Sequence, residues 1–162
     1  EFAGERIVTL GEVLDFAHGR LVLNIEMKMH GHERDVVDLV IGAIHDNNSA
    51  DHCLVTSFDH EAAAAVKERA PGLRTGLILG PGPMSAEVFA STADLLSVEK
   101  ALATGAFFAR ACDAAKAVHV WTVDDPVEAR RFAGWGVLSI TTNVPGRIKA
   151  DFAEGGAGAA AE

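Results

Sequence analysis

The chain has little positive charge, few aromatic residues and almost no cysteine. It carries 14 Lys and Arg against 23 Asp and Glu, which gives a formal net charge of −9. A field of that sign repels phosphate backbones and therefore argues against nonspecific nucleic-acid binding. Tyrosine is absent and aromatic residues make up only 6% of the chain. Two cysteines, Cys53 and Cys112, are too few for a disulfide framework, so we expect both to be small residues of the core.

Long apolar runs are also missing. None approaches the ~20 residues that a membrane-spanning helix needs, and the first residues lack the basic and apolar regions of a signal peptide. We therefore expect a cytoplasmic protein without a membrane span. Hydrophobic residues still make up 49% of the 162 residues, enough for the core of one domain. We expect that domain over residues 1–153, followed by a disordered low-complexity tail over 154–162.

Apolar residues alternate between two periodicities along the chain. Runs typical of buried strands alternate with segments of helical spacing, which predicts βα units and a parallel sheet. About six strands fit, whereas an eight-stranded (β/α) barrel typically needs around 250 residues. The pattern leaves two architectures open, a six-stranded doubly wound sheet or a barrel that lacks its first strands. The predicted strands cover residues 21–28, 53–57, 74–79, 94–98, 118–123 and 137–142.

Functional side chains in both architectures lie at the carboxyl ends of the parallel strands. The first predicted strand ends with Glu26 and Lys28, which a period of two places on one face. A carboxylate and an ammonium at that spacing could hold a metal ion and a phosphate oxygen, although a buried ion pair or a solvated strand end fits as well. Trp121 ends a later strand, where it could be a core residue or a wall of a substrate pocket. Asp59 is predicted to cap the helix that follows its strand.

A zinc site is a further alternative. His30 and His32 have an H-x-H spacing that zinc enzymes use, and Asp35 could add an oxygen ligand. Both histidines fall in the loop beyond the strand, and no later histidine ends a strand to complete the site. We therefore expect His30 and His32 to face solvent and to bind no zinc.

Taken together, the strand ends resemble the glycerophosphodiester phosphodiesterase family. The resemblance implies a TIM-like (β/α) barrel, here lacking about its first two strands. It implies hydrolysis of glycerophosphodiesters to glycerol 3-phosphate and an alcohol, with a divalent cation, Mg²⁺ or Ca²⁺, as cofactor. Glu26 would be a metal ligand, Lys28 would neutralise the phosphate and Trp121 would line the substrate pocket. The matching stretches are residues 20–28, 55–61, 118–126 and 136–147, with a weaker match over 5–14.

The chain also departs from the family pattern. The His-Arg-Gly strand, the Glu-x-Asp strand and a later His-Asp, which in the family supply both acid/base histidines and two metal carboxylates, have no counterpart here. Asn143 stands where the family often has Asp. We therefore expect a catalytically incomplete chain, which a longer version with the upstream strands would make active. The alternative is a noncatalytic partial-barrel module that binds a phosphorylated ligand or a partner. Self-association or a missing N-terminal segment could close such a barrel.

Overall fold

The computed structural model describes residues 3–31 and 35–157, with side chains as far as Glu154. The chain divides into two compact units, Glu1–Leu77 and Ile78–Glu162, and we treat each by itself. In the first unit three strands are parallel and follow chain order, with β2 paired to both β1 and β3. Its elements are α1 (Leu10–Ala17), β1 (Leu23–Met27), α2 (Val36–Asp46), β2 (Cys53–Ser57), α3 (His60–Arg69) and β3 (Arg74–Leu79), the last of which runs two residues past Leu77.

Helix starts in the first unit are fixed by local side chains. Thr9 and Glu12 form a capping box at α1, in which each side chain bonds the backbone N–H of the other residue. Asp59 caps α3 by accepting the N–H of Ala62 at 3.0 Å. Because the cap satisfies an N–H that would otherwise have no partner, α3 can start after only two connecting residues beyond β2.

The core of the first unit lies between one face of β1 and β2 and the helices. Leu14, Ile44 and Val66 bring one side chain each from α1, α2 and α3, and all three are almost fully buried. Cys53 and Val55 of β2 join them. Packing of this kind accounts for most helix stability in a protein, since isolated helices of 8 to 11 residues are marginal in water.

The second unit has the same alternation. Strand β5 is parallel to and paired with both β4 and β6. The side chains of Thr104 and Asp125 cap the N-termini of α4 and α5, and Pro126 takes the first helical position of α5. The elements are β4 (Leu95–Glu99), α4 (Gly105–Asp113), β5 (Ala117–Trp121), α5 (Pro126–Gly134), β6 (Ser139–Ile140) and α6 (Pro145–Ala157).

Aromatic rings fill the space between α4 and α5. Phe108 stacks on Phe132 with ring centroids 6.2 Å apart, and Trp135 packs against both rings at 5.6 and 5.8 Å. Phe132 is fully buried. Three of the ten aromatic residues of the chain therefore stabilise the packing of α4 with α5.

The sequence predicts the elements well and some details wrongly. All six predicted strands form, but β6 has two residues where six were expected. Cys53 is buried as predicted, whereas the prediction for Cys112 is wrong because that residue is exposed. Cys112 follows the buried Ala111 by one residue, a rotation of about 100° around α4, which turns it away from the core.

Only part of the predicted tail lies within the residues that the structure describes. Residues 158–162 lie outside the described residues, so the tail over 154–162 stays a prediction. Within residues 3–31 and 35–157, no helix is long and apolar enough to cross a membrane.

Candidate active site

Strand β1 has one apolar and one polar face. Leu23, Ile25 and Met27 pack into the core of the first unit, which leaves Asn24 and Glu26 on the opposite face. Thr56 of β2 is the register partner of Glu26 and donates a hydrogen bond to Asn24 Oδ1 at 2.9 Å. The period of two predicted from the sequence therefore holds, and Glu26 points away from the core.

Glu26 and Lys28 line one cavity of about 320 Å³ at the carboxyl end of β1. Both side chains are exposed. The cavity thus offers a carboxylate and an ammonium to the same space, a combination that suits a phosphate together with a divalent cation. The remaining walls come from Met27, Met29, His30, Phe58 and Asp59.

Asp59 lines the cavity in addition to capping α3 as predicted. Its Oδ1 accepts from Ala62, its backbone N–H donates to Ser57 Oγ at 3.0 Å, and its side chain lines the cavity. Ser57 in turn donates to the carbonyl of Met27 at 2.7 Å, which ties the ends of β1 and β2 together. The sequence signal that could have placed Asp59 at this cavity is its position two residues after a strand.

His30 is exposed, as predicted, and it also lines the cavity. His32 lies outside the described residues, so its orientation and the absence of zinc stay predictions. Within residues 3–31 and 35–157, no group of three or more His, Cys, Asp or Glu side chains is placed to hold a metal ion. Glu26 and Asp59 are the two carboxylates in the lining of this cavity.

Trp121 ends β5 in the second unit and is half-buried. Its carbonyl accepts the N–H of Lys100 at 2.9 Å, which fixes the end of β5 to the end of β4. The peptide bond between Trp121 and Thr122 is cis. Trp121 therefore stands at the end of its strand, and its role in a substrate pocket stays a prediction.

Asp124 joins the ends of β5 and β6. Its carboxylate accepts from the Asn143 side chain at 2.9 Å, the Asn143 backbone at 2.7 Å and the Thr142 hydroxyl at 2.9 Å. Hydrogen bonds from Asn143, first from its side chain and then from its backbone, lower the pKa of Asp124. Asn143 thus donates to the Asp124 carboxylate from both its side chain and its backbone.

His119 is buried within β5, two residues before Trp121. Its Nδ1 lies 2.7 Å from Ser139 Oγ and its Nε2 lies 2.9 Å from Thr141 Oγ1. Burial lowers the pKa of His119 and therefore favours the neutral ring. A hydroxyl group lies within hydrogen-bond distance of each ring nitrogen, so His119 holds β5 against residues 139–141.

Comparisons with known proteins agree with this architecture. A solved structure from Silicibacter pomeroyi, assigned as a glycerophosphoryl diester phosphodiesterase, superposes with a TM-score of 0.81 at 26% identity, over 91% of this chain and 56% of that one. A glycerophosphodiester phosphodiesterase from Parabacteroides distasonis gives a TM-score of 0.79 at 23% identity, over 94% of this chain and 67% of that one. The curated glycerophosphodiester phosphodiesterase of Caldanaerobacter subterraneus subsp. tengcongensis is 35% identical over 80 residues, which are 48% of this chain and 33% of that protein.

These likenesses define the class of the protein, an α/β protein with a TIM-like barrel fold. The chain spans little more than half of the length of the Silicibacter pomeroyi structure. The glycerophosphoryl diester phosphodiesterase family model matches residues 1–147. The chain belongs to that family, as the strand-end residues predict.

Proposed function

We propose that the chain is part of a metal-dependent phosphodiesterase that hydrolyses glycerophosphodiesters to glycerol 3-phosphate and an alcohol. The observation that carries this proposal is the convergence of Glu26 and Lys28 on one cavity in a chain of this family. A solved neighbour from Oleispira antarctica, with a TM-score of 0.70 at 17% identity over 80% of this chain and 54% of that one, contains the product sn-glycerol-3-phosphate. That phosphodiesterase supports the substrate class proposed here.

Lys28 supplies positive charge in a chain whose net charge is −9. A phosphodiester is an anion, and hydrolysis adds negative charge to its phosphoryl oxygens. An ammonium in the lining of the cavity stabilises that charge more in the transition state than in the substrate, and this difference is what accelerates the reaction. Lys28 therefore acts on the phosphate, while Phe58 gives the same cavity an apolar wall.

Glu26 would hold the divalent cation. Mg²⁺ is commonly bound by one or two carboxylates, several waters and the substrate phosphate, and the Glu26 carboxylate on an open cavity fits that donor set. A bound Mg²⁺ or Ca²⁺ supplies Lewis-acid stabilisation of the phosphoryl oxygens. Trp121 would line the substrate pocket.

We also keep the expectation that the protein is cytoplasmic.

The sequence does not contain the acid and base histidines that the family resemblance implies, and this limits the activity of the 162 residues alone. A positioned acid or base contributes ~10²–10⁴-fold, and the family supplies both as histidines in motifs that this sequence does not contain. Among the described residues of the first unit, His30 is the histidine on the cavity wall, and it is exposed. We therefore propose that the chain is catalytically incomplete by itself.

The experiment compares the 162-residue chain with a longer chain that carries the upstream family motifs. Both are supplied with glycerophosphocholine and Mg²⁺ or Ca²⁺, and glycerol 3-phosphate is measured with a coupled dehydrogenase. We expect turnover from the longer chain and little or none from the shorter one. In the longer chain Glu26→Gln should abolish metal-dependent turnover, and Lys28→Ala should lower kcat by about tenfold or more.

Glu68→Gln is the matched control, because Glu68 is an exposed carboxylate of the same unit on α3. It should leave turnover unchanged. Chelator-insensitive turnover by the 162-residue chain would overturn both the incompleteness and the role of Glu26. If the longer chain binds glycerol 3-phosphate without hydrolysing any diester, the noncatalytic binding module is the correct reading.

A further inference from the structure

Two histidines of the first unit lie near the amino ends of its first two strands. His18 follows α1 directly, in the segment that leads to β1, and His52 directly precedes Cys53, the first residue of β2. Leu23 and Cys53 are register partners, so the two strands begin side by side. Glu26 lies about 10 Å further along β1 from Leu23. The two histidines therefore belong to the end of the strands opposite to the cavity that Glu26 lines.

The rings of His18 and His52 meet edge to face. Their centroids are 6.2 Å apart and their planes form an angle of 79°. Both residues are exposed, and they line a small recess together with the buried side chains of Leu14, Ala17 and Cys53. Among the residues that the structure describes, neither imidazole has a hydrogen bond or an ion pair with another side chain. The ring nitrogens are therefore accessible to a ligand from solvent.

The backbone at both histidines is anchored. The N–H of His18 donates to the carbonyl of Asp15 at 3.3 Å, and the N–H of His52 donates to the carbonyl of Ser49 at 3.0 Å. Ser49 is itself buried, and its hydroxyl donates to the carbonyl of Asn47 at 3.1 Å. The two imidazoles thus start from fixed backbone positions, which lowers the entropic cost of a ligand that holds both.

We infer that His18 and His52 form a binding site for a divalent transition-metal ion of the Zn²⁺ type. Imidazole nitrogen is a ligand that suits Zn²⁺, Ni²⁺ and Cu²⁺. Two imidazoles on one tetrahedral ion, with Zn–N bonds of about 2.0–2.1 Å, have ring centres about 5 Å apart. The 6.2 Å in the structure closes to that value when the exposed side chains rotate. Since the described residues place no group of three ligands together, water completes the coordination shell.

Other metal ions fit the pair less well. Mg²⁺ and Ca²⁺ prefer oxygen ligands, whereas the pair offers nitrogen. A soft ion such as Cu⁺ prefers thiolate, and Cys53 is the thiol in the recess. Cys53 is only 1% exposed, and burial raises the pKa of its thiol, so the thiolate that such an ion needs is disfavoured. The pair therefore selects an ion that binds through imidazole nitrogen.

A bound ion would connect the end of α1 to the start of β2. An ion that binds the folded chain more tightly than the unfolded chain stabilises the fold. In the unfolded chain the two histidines are not held near each other, so the affinity gained from using both is lost. Zn²⁺ should therefore raise the Tm of the chain.

The test is a calorimetric titration of the untagged 162-residue chain with Zn²⁺, in excess Mg²⁺ to occupy oxygen sites. We expect saturable binding that His18→Ala and His52→Ala each weaken by about tenfold or more, because even residues that only support a metal ligand cost 10–100-fold. His45→Ala is the matched control, since His45 is an exposed histidine of α2 in the same unit. Zn²⁺ should raise the Tm of the parent and of His45→Ala, and leave that of His18→Ala unchanged.

A measurement on the parent chain decides the matter even if a variant fails to fold. In nitrogen NMR of the imidazole rings, Zn²⁺ should shift the signals of His18 and His52 and leave that of His45 in place. Absence of saturable Zn²⁺ binding, or binding that survives both alanine variants, would overturn the inference. Binding that is lost instead in the double variant Glu26→Gln, His30→Ala would place the ion in the other cavity and would also overturn it.

Discussion

Replacing His119 with Ala should destabilise the second unit substantially. His119 is only 7% exposed, and its ring makes two side-chain hydrogen bonds. Each bond contributes about 1 kcal/mol, and loss of a buried ring adds a cavity cost of similar size or larger. We therefore expect His119→Ala to lower the free energy of unfolding by about 3 kcal/mol, and Tm by ~6–12 °C for a chain of this length.

The stability that His119 contributes should also depend on pH, in a direction that its lowered pKa fixes. Burial lowers the pKa of His119 in the folded chain, so the unfolded chain takes up the proton first as pH falls. The stability contributed by the neutral ring is fully present above about pH 6.5, the ordinary pKa, and is lost as pH drops toward the folded value. The stability difference between parent and His119→Ala should therefore narrow from pH 8 to pH 5.

Urea unfolding followed by circular dichroism measures both effects. His119→Phe restores most of the ring volume without the hydrogen bonds, so it should lie between the parent and His119→Ala. Ser139 is exposed and its hydroxyl can turn to water, which limits the penalty in His119→Phe. A loss below about 1 kcal/mol, or a difference that widens at acid pH, would refute the assignment of His119 as a neutral structural residue.

Two further predictions concern the same unit. Phe132→Ala should lower the free energy of unfolding by about 3–5 kcal/mol, since the ring is fully buried among Phe108 and Trp135; a thermal melt with Phe132→Leu as the milder comparison checks this, and equal Tm values for the two variants would contradict it. Asp124→Ala should lower Tm at neutral pH, because three hydrogen bonds to its carboxylate are lost. Its pKa is lowered in the folded chain, so this stabilisation is present above the ordinary pKa of 3.8 and fades as pH falls below it; melts at pH 7 and pH 3 that show the same gap would speak against this.

The sequence is most informative where local chemistry decides the structure. The predicted cap at Asp59 is confirmed, because it depends on residues within one turn. The capping box of Thr9 and Glu12 and the Pro126 start of α5 are local in the same way. The side chain of Glu26 is also placed correctly on the polar face, since a period of two needs only the strand to exist.

Packing over longer distances is where prediction fails. Cys112 has apolar neighbours in sequence, but the direction of its helix relative to the core decides its exposure. The short β6 follows from pairing, because only Ser139 and Ile140 are in register with β5 although the apolar run is longer. The register across strands, such as Glu26 opposite Thr56, depends on pairing between distant segments and cannot be derived from the sequence alone.

The two acidic caps have a consequence for how much freedom the site edges keep. Only Phe58 and Asp59 separate β2 from α3, and four residues separate β5 from α5, with a carboxylate cap closing each connection. Loops this short and this well anchored have little conformational entropy left to lose. A ligand that binds against them therefore incurs little entropic cost for ordering them. Insertion of one residue in either connection would displace the cap and the adjacent strand end together, and affinity should suffer before the fold does.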